Sequence, residues 1–115
     1  MIDVLAEGEV TRAEVDALLD ALQSEEVLTY RRFFDGAKAD TKMSPDDLIA
    51  LGVRMRAMHG HGGMGPLAVV VPPDKEKILE RIFGMLAVAN RPMRIFNDSA
   101  SGRRWIRKQI PGSRD

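Results

Sequence analysis

Five apolar residues in an unbroken row, Leu67-Ala68-Val69-Val70-Val71, constrain this chain more than any other segment. A strand with no polar alternation has to be covered on both faces. Pro72 and Pro73 end the row, because proline supplies no N–H to a ladder, and with Asp74 they open a helix. Ile78, Leu79, Ile82, Phe83, Leu86 and Ala89 give that helix a wide apolar face, which Asn90-Arg91-Pro92 stops. A second short strand follows at Met93-Arg94-Ile95-Phe96. Strands separated by a helix are usually parallel, so the chain reads as an α/β protein.

The rest of the sequence repeats the same alternation. Ile2 to Glu9 reads as a strand with Ile2, Val4 and Ala6 on one face. Thr11-Arg12-Ala13-Glu14 has capping-box spacing, and Val15, Leu18, Leu19 and Leu22 then form one apolar helical stripe that Ser24-Glu25-Glu26 ends. Val27 to Phe34 is rich in β-branched and aromatic residues and predicts a second strand closing at Asp35-Gly36, with a loop from Ala37 to Met43. Ser44-Pro45-Asp46-Asp47 marks the clearest helix start, with a serine cap, proline in the first turn and two acids at the positive end. Leu48, Leu51, Gly52, Met55 and Met58 trace its inner face, leaving Arg54 and Arg56 outward. Gly60 to Pro66 is a flexible connection. After Phe96, Asn97-Asp98-Ser99 caps a last helix carrying Trp105 and Ile106, and Pro111-Gly112 ends order. The expected architecture is one layer of about four mostly parallel strands packed by four helices, joined by right-handed crossovers.

A chain of 115 residues makes one domain, expected over 1–115 with 109–115 as a disordered tail. It has no cysteine, which excludes disulfides, thiolate metal sites and a cysteine nucleophile. No stretch approaches the ~18 apolar residues of a membrane span, and the N-terminus lacks a leader pattern, so a soluble cytoplasmic protein is expected. Net charge is zero but segregated: residues 1–30 hold eight acids against Arg12, and residues 91–115 hold seven bases against Asp98 and Asp115. Complementary ends suit a contact between copies, and they also suit solvated helix faces.

In this order the residues resemble the STAS and SEC14-like superfamily, in its SpoIIAA-like branch of anti-sigma-factor-antagonist-like domains. The likeness lies in Glu7-Gly8-Glu9-Val10-Thr11 running into a helix, Tyr30-Arg31-Arg32-Phe33-Phe34-Asp35, Ser44-Pro45-Asp46-Asp47-Leu48, Gly65-Pro66-Leu67-Ala68-Val69-Val70-Val71, and Arg94-Ile95-Phe96-Asn97-Asp98 before Trp105-Ile106. It implies the α/β fold and a role in protein contacts. SEC14-like relatives are known for lipid cavities, so it also allows an apolar ligand. Regulatory STAS proteins carry an Asp-Ser-Ser-Gly phosphoacceptor loop where this chain reads Asp35-Gly36-Ala37-Lys38, then Thr41 and Ser44, so a phospho-switch does not carry over. Members usually begin with a further strand, which this chain starts too late to supply, and an open sheet edge invites a partner.

The candidate binding residues are Asp35, Lys38, Asp40, Thr41, Ser44 and Asp98. They fall at or near strand ends and helix starts, where open parallel sheets bind ligands. Strand termination and helix capping also account for Asp35, Asp98 and Ser99. His59 and His61 flank a glycine in a loop with no carboxylate to complete a metal shell, so no metal is expected. The Gly60–Gly65 run leads from helix to strand, the wrong polarity for a phosphate loop. Ser44, Ser99 and Ser101 lack a histidine at catalytic spacing, and Arg103, Arg104, Arg107 and Lys108 around Trp105 resemble a nucleic-acid contact only in composition. The expectation is a non-enzymatic, cofactor-free domain acting through protein contacts at the loop after Asp35 and the second helix. It includes a homodimer through the open edge and no nucleic acid. The alternative is a module for a small apolar ligand or lipid, lined by methionine and phenylalanine side chains.

Overall fold

In a computed structural model of the protein, residues 1–22, 30–40, 42–59, 65–77, 80–81 and 93–109 are described. Strand β1 (Ile2–Glu9) leads to helix α1 (Arg12–Ala21), β2 (Arg32–Asp40), α2 (Pro45–His59), β3 (Leu67–Val70), a single 3-10 turn at Pro73–Lys75, β4 (Met93–Phe96) and α3 (Ser99–Arg107). Residues 76–77 and 80–81 are helical, so most of the helix expected after Pro73 lies outside the described residues. The expected helix end at 24–26, the His61 and glycine loop at 60–64, and the tail from 110 on also lie outside them.

The four strands form one parallel sheet in the order β1-β2-β3-β4. β3 is therefore interior, with Phe33 beside Ala68 on one flank and Arg94 on the other. Its Leu67, Ala68 and Val70 are almost fully buried, as an unbroken apolar run requires. Register divides the side chains into two faces. One carries Phe33, Asp35, Ala68, Val70 and Phe96, and α3 covers it. The other carries Val4, Phe34 and Val69 and lies under α1 and α2.

On the α3 face Phe33, Ala68, Val70 and Ile106 are each 0% exposed, with Ala37, Phe96 and Trp105 packed around them. Helix and sheet approach closely because position 102 is glycine. A Cβ there would sit 3.0 Å from Val70 and 3.2 Å from Phe33. On the opposite face the buried contact is Leu19 against Leu51, flanked by Val15 and Met43. Ion pairs supplement it: Arg54 Nη1 reaches Asp16 Oδ1 at 2.8 Å, its Nη2 bonds Asp20, and Arg12 bonds Asp47 at 3.2 Å. Arg54 is thus turned towards α1, correcting the expectation that it faces outward. An apolar stripe locates the core side of a helix but says nothing about acids on a neighbouring helix.

The second strand also departs from expectation. Tyr30 and Arg31 are outside β2, and the strand continues past Asp35 to Asp40, so Ala37 to Asp40 are not loop. The cause is a slip in register. Leu5 faces Asp35 and Glu7 faces Lys38, so Gly36 and Ala37 together stand opposite Ala6 and the ladder resumes beyond them. The Asp35 carboxylate accepts the Ala37 N–H at 3.2 Å, using a turn-like bond inside a bulge. Gly36 fits because a Cβ would come within 2.9 Å of the Val70 carbonyl oxygen. Arg32 is 2% exposed and donates to the Leu22 carbonyl at 3.1 Å, placing a cation at the end of α1. Burial lowers its pKa from the ordinary arginine value.

Candidate functional site

β3 and β4 end at Val70 and Phe96, level with Asp35 in the middle of β2, and form a rim beside the start of α3. Asp35 sits there, half-buried, between Leu5 and Val70. Its second carboxylate oxygen accepts the Ser99 hydroxyl at 2.8 Å. Asp98 is the N-cap of α3 and accepts the Ser101 N–H at 2.8 Å, which holds its carboxyl below the usual aspartate value. The structure therefore gathers Asp35, Asp98 and Ser99 where β2 meets α3. The Asp35–Ser99 bond ties the first turn of α3 to β2.

The other candidates fall elsewhere. Lys38 and Asp40 are exposed on the far half of β2, opposite Glu7 and Glu9. Ser44 caps α2: its hydroxyl accepts the Asp47 N–H at 3.1 Å, and its own N–H reaches back to Asp47 at 3.4 Å. Arg12 and Ser44 together depress the Asp47 pKa. Thr41 lies outside the described residues. Of the five described positions, Asp35, Ser44 and Asp98 are committed to internal bonds, and Lys38 and Asp40 are exposed.

Two further features belong to this region. Ile49 and Val53, one turn apart on α2, are 44% and 53% exposed. Their signal was present in the sequence, as two β-branched residues lying off the stripe of Leu48 and Leu51. Between the sheet and helices α1 and α2 lies an apolar cavity of about 220 Å³, bordered by Val4, Phe34, Val69, Leu18, Leu48 and Met43. Asp35, Asp40 and Lys75 also reach its wall. That volume exceeds the ~150 Å³ of a cavity that binds benzene and falls below the ~300 Å³ of the smallest drug-sized pockets. Met55 and Met58, expected around such a space, have side chains outside the described set.

On the basic helix, Arg103 is not a free cation. It bonds Asp3 at 2.8 Å, stacks 4.4 Å from the Phe33 ring centre, and has its pKa raised chiefly by that Asp3 bond. Arg104, Arg107 and Lys108 are exposed. Among the described residues no cluster of three metal-ligating side chains occurs, and no helix is long and apolar enough to cross a membrane.

Searches of curated proteins and of solved structures gave no match. A family model described as SpoIIAA-like matches residues 1–107, which takes in β1 to β4 and α1 to α3 of the described residues. With the parallel sheet in place and that match spanning nearly the whole chain, the protein belongs to the SpoIIAA-like family.

Proposed function

We propose that this protein is a non-enzymatic regulatory domain of the cytoplasm that binds a partner protein across the outer face of α2 and the adjoining rim. SpoIIAA-like domains are typically regulatory protein-interaction modules. The observation that carries the reading is the exposed pair Ile49 and Val53 on a helix whose opposite side is buried against α1. Apolar residues at this spacing serve as anchors in helix-mediated contacts. Lys38 and Asp40 with Ser44 and the Asp35–Asp98 group form the polar border. Self-association through the open β1 edge belongs to the same reading. A protein rather than a nucleic acid is the partner in this reading, and the engagement of Arg103 with Asp3 and Phe33 supports it. The test is affinity capture from the native host with wild-type protein and with Ile49→Asp/Val53→Asp, whose exposed positions leave the fold intact. A partner retained by wild type and lost by the double variant is expected. Equal capture by both would contradict the reading.

The cavity supports a second reading, in which the domain holds a small apolar molecule or a short acyl segment under α1 and α2. Native mass spectrometry of freshly purified protein decides it. A co-purifying apolar species supports this reading and an empty chain opposes it.

A further inference from the structure

β1 is an edge strand whose hydrogen-bonding groups face two ways. The Ile2 N–H donates to the Arg31 carbonyl and the Val10 N–H to the Asp40 carbonyl, both at 2.8 Å. Strand alternation therefore turns the main-chain N–H and C=O of Asp3, Leu5 and Glu7 away from β2, along the margin of the sheet. Helix α3 packs on β2, β3 and β4, leaving Leu5 on the same face 64% exposed. On the other face Ile2, Val4 and Ala6 are half-buried. The margin thus offers a row of main-chain groups, one uncovered leucine and a ready apolar row beneath.

We propose that β1 pairs antiparallel with β1 of a second copy, about a twofold axis between the two Val4 residues. The inference deepens the protein-contact reading by naming the partner at this edge. The charges select the register. An axis through Leu5 would set Asp3 against the partner's Glu7, opposing like charges directly across the ladder. An axis at Val4 sets Asp3 beside the partner's Leu5 and Ile2 beside the partner's Ala6, so apolar meets apolar on the lower face. It also brings the Asp3–Arg103 pair of each copy alongside the other's exposed leucine, which the methylenes of Arg103 can cover. The product is one eight-stranded sheet with both α3 helices on one side, and its twofold symmetry closes the assembly at two copies.

Because the chain has no cysteine, single cysteines report this register directly. Val4→Cys places two thiols across a non-hydrogen-bonded pair on the axis, whereas Ala6→Cys places each thiol opposite Ile2. Under mild oxidation Val4→Cys is expected to form a covalent dimer at least about tenfold faster than Ala6→Cys. Light scattering across a dilution series gives twice the chain mass for wild type. Leu5→Asp, which opposes the partner's Asp3, dimerises at least about tenfold more weakly, whereas Leu5→Lys remains dimeric. Circular dichroism confirms that the Leu5 and cysteine variants are folded. A monomeric wild type, a Leu5→Asp dimer as tight as wild type, or equal cross-linking at both cysteines overturns the proposal. A monomer would leave the α2 contact standing on its own capture experiment.

Discussion

The two faces of the sheet are held to their helices by different means. Under α3 the packing is closed: four residues are without any exposure, and Gly102 leaves no room for a methyl group without displacing Val70. Under α1 and α2 a cavity of about 220 Å³ remains, and much of the linkage between the helices is ionic and near the surface. Exposed pairs contribute about 0–1 kcal/mol each, whereas one well-buried aliphatic side chain contributes about 1.5–3 kcal/mol. Among the described residues the tightest packing therefore lies under α3. The other face is free to carry exposed apolar residues, an adaptable interior and, by our reading, the partner.

The largest expected effect tests the closed face. Ile106→Ala should cost about 2–5 kcal/mol in denaturant unfolding, while Leu18→Ala, beside the existing cavity, costs clearly less. Equal losses would break the contrast between the faces. Gly36→Ala comes next, at about 1–3 kcal/mol, because its methyl group would press on the Val70 carbonyl and strain the pairing of β2 with β3. A change of opposite sign sharpens the comparison. Val69→Ile extends into the cavity and should be neutral or stabilising by up to about 1 kcal/mol, whereas the same added methylene on the α3 face would overpack.

The smallest effect concerns the helix starts. Asp47 and Asp98 both have folded pKa values below the ordinary aspartate value, through Arg12 and Ser44 for the first and the Ser101 N–H for the second. A carboxylate with a depressed folded pKa contributes fully above its unfolded pKa of about 3.9 and loses that contribution as pH falls through the folded value. Stability should therefore fall below about pH 4. Asp98→Asn keeps a cap but removes one titrating group, so its drop between pH 7 and pH 3 is smaller than that of wild type. An unchanged drop would show that this cap does not couple to folding.

What was legible in the sequence follows the physics each signal reports. The span of β1, the interior position of the valine strand, β4 and the starts at Thr11, Ser44 and Asp98 could all be read, because periodicity, proline and capping act over a few residues. The length of β2 could not, since Asp35-Gly36 has turn chemistry and only pairing with β1 converts it to a bulge. Arg54 and Arg32 look like surface cations until α1 supplies the Asp16 carboxylate to one and the Leu22 carbonyl to the other. Of the candidate positions, Asp98 caps a helix as its Asn-Asp-Ser setting suggests, whereas Asp35 lies inside β2 and not at its end. Ile49 and Val53 could have been found by their position off the stripe of Leu48 and Leu51, whereas the cavity depends on how whole helices sit, which no local pattern encodes.

Native-state hydrogen exchange tests the central claim most directly, by comparing α3 and β3 amides with those of α1 in low and high salt. Amides of α3 and β3 are expected to exchange only through global unfolding, while α1 opens at lower free energy and opens further as salt screens its ties to Arg54 and Asp47. Protection of α1 equal to that of α3, and unaffected by salt, would contradict that claim.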